Sequence, residues 1–393
     1  MIVKFKPYFK YFFYASSIII SRGLEYFVLF YAALYLPKDA YGELEFYKKI
    51  IELLAVALAF GLPSLLLTYT KKKNSKVYLN ILGVLFITFL ATIVFPLLWA
   101  FEFQFIIIPI LFHAVFFNNG VMPVFFITQL GSNKASLYKL VTSFLFYSGI
   151  FLLLLFHPEP EKAFVTINYY LIGIGIVFIL GLFKSYKIKL TFLKRYFSLF
   201  KKLLLNSLTL VVSNFANIMF LYTDIMILKL ISKTPNTDMA DYSFTLNIAN
   251  ILILMPLTMV QVDIEKIKSS IQIKELNNKI IKLLVVFVLG ILLLYVLLIN
   301  SYYINYKDTF SVFLILLLAK FFQSTSIIHG TIIVINKKFK LNLNINLSML
   351  ILNVVLSYLL FTYLNVLGIA LASFIILTLR YFILRYYSKN SSV

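Results

Sequence analysis

The sequence predicts an all-α polytopic membrane protein of about twelve transmembrane helices, arranged as two six-helix bundles with both termini in the cytoplasm. Three observations predict this class: repeated apolar stretches, basic residues in alternate gaps, and a basic segment near the middle of the chain. Hydrophobic residues make up 62% of the 393 residues and charged residues only 13%, far from the average soluble domain. A soluble fold cannot hide so much apolar surface.

Each predicted crossing has the length that a bilayer requires. About 20 mostly apolar residues are needed, because a helix rises about 1.5 Å per residue and the hydrocarbon core is about 30 Å thick. Gly61 and Pro63 predict a bend in the second crossing, and the alternatives of a hinge and a static kink both stay open. The predicted crossings are 10–35, 44–69, 78–100, 104–129, 136–156, 164–184, 203–231, 241–262, 280–300, 309–335, 342–363 and 366–387.

The net charge of +21 is a topology signal. Most of the 36 basic residues gather in alternate gaps, including 71–76, 186–202, 266–282 and 337–340, while the intervening gaps hold few lysines and several acids. The positive-inside rule therefore places both termini in the cytoplasm. Because the excess of basic residues lies in the loops, it predicts contact with membrane lipids and no binding of nucleic acid.

The chain divides in sequence at a basic segment. Residues 186–202 place Leu193, Phe197 and Phe200 along one helical stripe and basic residues on another, which predicts an interfacial amphipathic helix, with an ordinary cytoplasmic loop as the alternative. The predicted domains are a bundle over 1–185, this linker, and a bundle over 203–393. Six crossings on each side make any repeat a parallel one. An offset near 200 residues relates Glu25 to Asp224, and Ala40-Tyr41-Gly42 to Asp241-Tyr242-Ser243.

Polar residues inside the crossings mark the candidate site, because an ionisable group in a membrane tends to face a cavity or a partner. Three crossings carry a polar stripe on one helical face, and together they predict a water-filled central cavity. The stripes are Ser17, Ser21, Arg22 and Glu25 in the first crossing, Asn206, Ser213, Asn217 and Asp224 in the seventh, and Asn342, Asn346, Asn353 and Ser357 in the eleventh.

Substrate contact is predicted for four cations and two amides. The guanidinium of Arg22 can bind diphosphate oxygens through two nitrogens, or it can serve only as a structural partner of Glu25. Lys48 and Lys49 lie in the first turns of the second crossing, where the alternative is snorkelling to the interface. Lys320 is central in the tenth crossing, either as a cavity cation or in a pair with a buried carboxylate. The candidate amides are Asn217 and Asn353.

Asp224 and Glu25 are the candidate coupling residues. Burial makes the charge state of a carboxyl responsive to its surroundings, so Asp224 is interpreted as a proton or sodium site, with a hydrogen bond to a neighbouring Asn or a salt bridge as the alternative. Glu25, beside Arg22, is the weaker candidate. The chain has no cysteine, and its three histidines do not fall at metal-ligand spacing. No metal centre and no cofactor other than a coupling ion is therefore predicted.

Four motifs carry a resemblance to a known group of transporters. They are Leu36-Pro-Lys-Asp-Ala-Tyr-Gly42, Ala59-Phe-Gly-Leu-Pro63, Leu221-Tyr-Thr-Asp-Ile-Met-Ile-Leu228 and Leu367-Gly-Ile-Ala-Leu-Ala-Ser373. With them, the whole chain resembles the polysaccharide-exporter branch of the multidrug/oligosaccharidyl-lipid/polysaccharide flippase superfamily, which contains the O-antigen repeat-unit flippases. The resemblance implies a multi-pass protein of the bacterial inner membrane. It also implies two bundles around a cavity that opens alternately to each side, and outward transport of an undecaprenyl diphosphate-linked oligosaccharide.

Two other functional classes stay open. A cation-coupled multidrug exporter of the same superfamily would share the fold, with an acidic or apolar cavity expected instead of a cationic one. A polytopic glycan polymerase or ligase is a remoter alternative, since such an enzyme would be expected to have a large outer loop. No loop here is long enough to form a domain and no catalytic motif stands in one, so the chain is predicted not to be an enzyme. Glycan polymerase machinery is a further predicted partner.

Overall fold

A computed structural model describes residues 6–69, 73–117, 120–186, 190–262, 273–336 and 338–389. Over these residues the chain is almost entirely helical and contains no strand. The α-helices are α1 (Lys6–Tyr35), α2 (Lys38–Ala59), α3 (Leu62–Tyr69), α4 (Lys73–Ala100), α5 (Ile107–Val115), α6 (Val121–Phe125), α7 (Ser132–Phe156), α8 (Ala163–Ser185), α9 (Leu190–Ile231), α10 (Pro235–Val262), α11 (Ile273–Ser301), α12 (Phe310–Ile335) and α13 (Phe339–Lys389).

Seven helical segments within the described ranges are long and apolar enough to cross a membrane, by length and composition. Their surfaces expose large apolar side chains such as Phe89, Val177 and Leu293, and contiguous apolar surface of this kind is typical of contact with lipid. The predicted class of an all-helical, multi-pass membrane protein is confirmed at this level, and the count of twelve crossings stays a prediction. The segments are Ser75–Ala100, Asn133–Phe156, Pro160–Leu182, Pro235–Val260, Glu275–Ser301, Ile304–Ile335 and Phe339–Lys389.

The predicted bend in the second crossing is present as a break between α2 and α3. Phe60 and Gly61 have φ angles of 50° and 65°, a left-handed conformation that ends an α-helix. Pro63 then lies in the first turn of α3, where its missing N–H costs no helical hydrogen bond. The left-handed pair therefore causes the break, and not a proline clash inside a continuous helix.

The segment of the predicted crossing over 104–129 is not one continuous helix. After α5 ends at Val115, Gly120 adopts an extended conformation and α6 begins at Val121, followed by a π-helical turn over Phe126–Leu130. A Cβ atom on Gly120 would lie 2.7 Å from the carbonyl oxygen of Val115. Because only glycine fits against that carbonyl, the backbone can turn sharply here.

The predicted eleventh and twelfth crossings form one helical run, α13, with a reversal inside it. Asn365 is the non-helical residue, with φ of 49° and ψ of −135°. A Cβ atom on Gly368 would lie 2.2 Å from the carbonyl oxygen of Leu360, whereas eight residues of straight helix would span about 12 Å. The chain therefore folds back on itself at Asn365, which agrees with two separate crossings.

The predicted linker is helical from Leu190 onward and is continuous with the seventh crossing in α9. Leu193 and Phe200 are buried, whereas Phe197 is 56% exposed, so the three residues of the predicted stripe are not all buried in unit one. Tyr196 stacks on Tyr78 of α4 with ring centroids 5.3 Å apart. Residues 187–189 lie outside the described residues.

The chain divides into two compact units. Unit one comprises Met1–Leu29 and Phe46–Phe215, and unit two comprises Phe30–Glu45 and Ala216–Val393. In unit one, α5 packs against α4 and α8, and α7 packs against α8. In unit two, α12 packs against α10 and α13. The end of α1 and the start of α2 thus belong to unit two, although the rest of both helices belongs to unit one.

Within unit two, the start of α2 packs tightly against the start of α10. Lys38 Nζ lies 2.6 Å from Oδ1 of Asp241, and the Thr237 hydroxyl donates to Asp39 at 2.5 Å. At Gly42, an added Cβ atom would lie 1.8 Å from the carbonyl oxygen of Asn236. The motif Leu36–Gly42, at the junction of α1 and α2, therefore contacts α10 through an ion pair, a hydrogen bond and a close backbone approach.

Replacing Gly42 with Ala is expected to destabilise the protein by about 3 kcal/mol, because the backbone must move to admit the methyl group. The measurement is equilibrium unfolding of the purified protein in mixed micelles. Gly290→Ala is the matched control: that glycine lies inside α11 with nothing within 4 Å of its added Cβ, and alanine favours a helix by about 1 kcal/mol. Equal stability of the two variants would contradict the close approach at Gly42.

Candidate substrate and coupling sites

Unit one buries an ionic cluster that is built on α1 and α2. Nη1 of Arg22 lies 2.6 Å from Oε2 of Glu25, and Nζ of Lys48 lies 2.7 Å from Oε1 of the same carboxylate. Arg22 and Glu25 are neighbours on one helix because they are three residues apart, whereas Lys48 comes from α2. The side chains of Glu25 and Lys48 are only 6% and 4% exposed. A single buried carboxylate is therefore held by two cations.

Arg22 is the accessible member of this ionic cluster, with 47% of its side chain exposed. The guanidinium carries five N–H donors in a planar fork, so the bond from Nη1 to Glu25 leaves donors that suit phosphate oxygens. Two cations and one carboxylate also leave a net positive charge. The sequence left open whether Arg22 contacts substrate or pairs with Glu25. The structure shows the pair and keeps the guanidinium accessible.

Lys48 and Lys49 are buried side chains of unit one, whereas snorkelling would leave their ammonium groups exposed. They are 4% and 5% exposed, and a buried ammonium group requires a charged or hydrogen-bonding partner. Glu25 is that partner for Lys48. The sequence of α2 alone does not predict this burial, because Glu25, the acceptor for Lys48, lies on α1.

Helix α7 contributes two residues to this cluster that the sequence did not single out. The Ser143 hydroxyl lies 2.6 Å from the Ser21 hydroxyl, and the Tyr147 hydroxyl hydrogen-bonds to Glu25. Ser143 and Tyr147 are four residues apart, so they share one face of α7. No sequence signal points to them, because both are common residues more than a hundred positions from α1.

Unit two buries a carboxylate that is held by neutral donors. Oδ2 of Asp224, on α9, accepts hydrogen bonds from the hydroxyls of Tyr242 on α10 and Ser373 on α13, the latter at 2.5 Å. Oδ1 accepts from the amide of Asn353, also on α13, at 3.1 Å. All four side chains are buried. The hydrogen bond to an Asn that the sequence offered as an alternative is present, and donors from two other helices, α10 and α13, converge on this carboxyl group of α9.

Lys320 lies buried in α12 at 7% exposure. Its Nζ donates to Oε1 of Gln323, on the same helix, at 2.9 Å. The ammonium also attracts the Asp224 carboxylate electrostatically. The side chain of Asn217 lies outside the described residues, so its predicted substrate contact stays a prediction.

The two carboxyl groups related by the sequence offset differ in chemistry. Glu25 is fixed between two cations, whereas the hydrogen-bond donors to Asp224 are hydroxyl and amide groups. A carboxylate between two cations favours its charged form, while one bound by neutral donors can exchange a proton or a small cation for those bonds. Tyr242 belongs to the internal repeat and Ser373 to a motif of the family resemblance, although the sequence predicted neither as a site residue.

A third buried carboxyl group was missed by sequence reasoning. Glu45, at 0% exposure in the unit-two part of α2, accepts from the amide of Asn247 at 2.7 Å and from the hydroxyl of Tyr41 at 3.2 Å. Tyr41 occupies the position that the sequence offset pairs with Tyr242. Each half of the chain thus places a tyrosine hydroxyl against a buried carboxyl group in unit two.

Two of the three histidines, His113 and His329, are buried. His113 packs between the rings of Phe117 and Phe146, at centroid distances of 4.7 and 5.3 Å, and Nδ1 of His329 lies 2.8 Å from the Ser388 hydroxyl. Among the residues that the structure describes, no group of three or more histidine and carboxylate side chains is placed to hold a metal ion.

The sequence matches a protein-family model over residues 10–262, which is more than half of the chain, and that model describes polysaccharide biosynthesis proteins. The chain belongs to this family. The resemblance to the polysaccharide exporters, drawn from four short motifs, is thereby confirmed. No curated protein sequence matched the chain.

Solved structures place this polysaccharide biosynthesis protein among transporters by fold. The lipid II flippase MurJ in an inward closed conformation has a TM-score of 0.65 at 16% identity, covering 96% of this chain and 87% of MurJ. A MATE transporter in complex with MaL6 has a TM-score of 0.63 at 12% identity, covering 97% and 95%. The Vibrio cholerae MATE transporter VcmN in its bent form has 0.55 at 12%, covering 98% and 94%. The family member therefore has the fold of a membrane transporter over its full length.

Proposed function

We propose that this protein moves an undecaprenyl diphosphate-linked oligosaccharide from the cytoplasmic to the outer leaflet of the bacterial inner membrane. Transport proceeds by alternating access of two six-helix bundles and is coupled to protons or sodium ions. The family match supports a glycan as the transported substrate. The ionic cluster in unit one is the observation that supports binding of the diphosphate. The guanidinium of Arg22 is half-exposed and is held in place by the buried carboxylate of Glu25. Such a group can bind the oxygens of a diphosphate.

The physical demand on such a protein is to shield a diphosphate and a sugar headgroup from hydrocarbon while the polyprenyl tail stays in lipid. Arg22 meets the diphosphate through two nitrogens, and Lys48 holds Glu25 so that Arg22 keeps its orientation. Lys320 supplies a second positive charge in unit two. The amide of Asn217 binds sugar hydroxyls, which require donors and acceptors on the same side chain, whereas the buried amide of Asn353 holds Asp224 in place.

A cation-coupled drug exporter is the second candidate, favoured by the fold shared with MATE transporters. The charge of the ionic cluster argues against it, because Arg22 and Lys48 outnumber Glu25 and repel a cationic drug. The two candidates also differ in what loss of the gene causes. A flippase deletion leaves lipid-linked repeat units in the cytoplasmic leaflet, whereas an exporter deletion causes drug sensitivity.

Deleting the gene is expected to deplete a surface glycan, and expression of Arg22→Ala in the deletion strain is expected to restore about one tenth or less of the wild-type amount. Loss of a hydrogen bond between charged groups costs about 1.5–3 kcal/mol, or about ten- to a hundredfold in affinity. Arg22→Lys keeps the charge without the fork and should restore an intermediate amount. Lys320→Ala should weaken export more mildly. The readout is surface glycan per cell at equal protein abundance.

Arg195→Ala is the matched control, since Arg195 is an exposed arginine of unit one that belongs to the basic segment before the seventh crossing. It should restore export fully. Normal surface glycan in the deletion strain, together with new sensitivity to cationic drugs, would transfer the assignment to efflux. Full export by Arg22→Ala and Lys320→Ala would reject the diphosphate site while leaving the family assignment in place.

A further inference from the structure

Unit one contains an apolar groove that neither cluster uses. Its volume is about 420 Å³, within the range of small-molecule pockets. One wall is Leu137, Val141 and Leu145 of α7, which share a helix face because they are four residues apart. The other wall includes Ile174 and Phe178 of α8, and Phe116 forms part of the floor. The groove therefore follows the seam of the α7–α8 hairpin.

The groove opens on the exposed surface of these two helices. Leu137, Val141, Leu145 and Ile174 are each between 44% and 59% exposed, on segments that are long and apolar enough to cross a membrane. Stacked rings also line the groove, with the ring centroid of Phe126 lying 4.3 Å from that of Tyr138 and 5.8 Å from that of Phe178. The groove is therefore a lipid-accessible depression that is lined in part by packed aromatic rings.

The polar groups that border the groove are already used inside the protein. The Tyr138 hydroxyl donates to the carbonyl oxygen of Phe116, and the Thr142 hydroxyl donates to the carbonyl oxygen of Tyr138, both at 2.8 Å. With these hydroxyls turned to the backbone, the inside of the groove presents hydrocarbon and ring surface. Such a lining suits an alkyl chain and offers nothing to a sugar or a peptide.

A single cation marks one end of this lining. Lys134, exposed in the first turn of α7, borders the groove beside the Gly131 turn, at the loop end that the charge pattern predicts to be cytoplasmic. From Lys134 to Leu145 the helix rises about 16 Å, which is about half of the 30 Å hydrocarbon core. The groove thus has the depth of one leaflet and a positive charge at the level of lipid headgroups.

We propose that the groove binds one acyl chain of an anionic glycerophospholipid from the cytoplasmic leaflet, with Lys134 against its phosphate. Length, lining and charge each match this ligand. The polyprenyl tail of a transported lipid must pass between leaflets and is not suited to a groove that ends at the middle of the membrane. The proposal is independent of the transport function, since it concerns a resident lipid of α7 and α8.

The test is native mass spectrometry of the purified protein with phosphatidylglycerol or phosphatidylcholine of identical chains. The wild-type protein should retain phosphatidylglycerol in preference. Val141→Trp should lower its retention about tenfold, because the indole occupies the space of the chain. Lys134→Gln should lower the preference for phosphatidylglycerol about fivefold, since a lysine near the membrane surface contributes about 1 kcal/mol toward anionic lipid.

Val177→Trp is the matched control: Val177 is 70% exposed on α8 but does not line the groove. It should retain lipid like the wild-type protein. Equal retention by Val141→Trp and Val177→Trp would overturn the site, and an unchanged preference in Lys134→Gln would overturn the headgroup contact. Displacement of phosphatidylglycerol by a small excess of polyprenyl phosphate would also overturn the proposal, by making the groove a site for the transported lipid.

Discussion

Replacing Glu25 with Gln is expected to lower the free energy of unfolding by about 3–5 kcal/mol, because breaking a buried ion pair leaves an uncompensated buried charge. The amide keeps the shape of the side chain but removes the charge that Arg22 and Lys48 share. Arg22 can turn to solvent from its half-exposed position, whereas Lys48, 4% exposed, cannot. The cost therefore falls mainly on Lys48. Equilibrium unfolding in mixed micelles measures it.

The chain supplies a control with the same spacing. Glu159 pairs with Lys162 at 3.0 Å, also three residues apart, but the two side chains are 53% and 38% exposed. Glu159→Gln is expected to cost less than about 1 kcal/mol, as exposed pairs do. Adding Lys48→Met to Glu25→Gln should recover much of the loss, because the uncompensated ammonium is gone. Equal stability of the two glutamine variants would contradict the burial of the ionic cluster.

The sequence predicted those contacts that lie within one helix. Arg22 and Glu25 are three residues apart, so their pairing follows from helical geometry alone. The partner Lys48 lies on the next helix, and its contact depends on how α1 and α2 pack, which no spacing rule specifies. A polar residue in an apolar helix predicts that a partner exists, because an unpaired polar group in hydrocarbon is costly. It does not predict which helix supplies that partner.

Helix positions were predictable from apolar length, but helix breaks were predictable only where the residue type requires them. Gly61 signalled the break after α2, since glycine adopts the left-handed conformation readily. Asn365 reverses the chain within α13 with a positive φ, and one Asn among several in that segment carries no such signal. Ser373 stood in a motif of the family resemblance and Tyr242 in the internal repeat, yet their shared contact with Asp224 depends on how three helices pack together.

Asp224→Asn is expected to fold normally, because the neutral amide satisfies the same neighbours. Its carbonyl oxygen can accept from Tyr242 and Ser373 as Oδ2 does, and its NH₂ group can donate to Asn353 once that amide turns over. Oδ1 of Asn353 is buried without a hydrogen-bond partner among the described residues, so it is ready to accept. The variant should therefore separate the loss of a titratable group from the loss of structure.

With the fold intact, Asp224→Asn is expected to abolish the dependence of transport on pH or on sodium, because an amide neither ionises nor holds a cation through charge. The measurement is the initial rate of glycan-lipid translocation in reconstituted vesicles across a pH series, with and without a sodium gradient. Tyr242→Phe and Ser373→Ala each remove one donor but keep the carboxyl group, so they should shift the dependence without removing it. Asp308→Asn, at an exposed acid of unit two, should leave it unchanged.

A variant at Asp224 that follows the wild-type pH and sodium profile would place the coupling group elsewhere. The buried Glu45 would then be the next carboxyl group to substitute, since it too accepts hydrogen bonds from neutral donors, Asn247 and Tyr41.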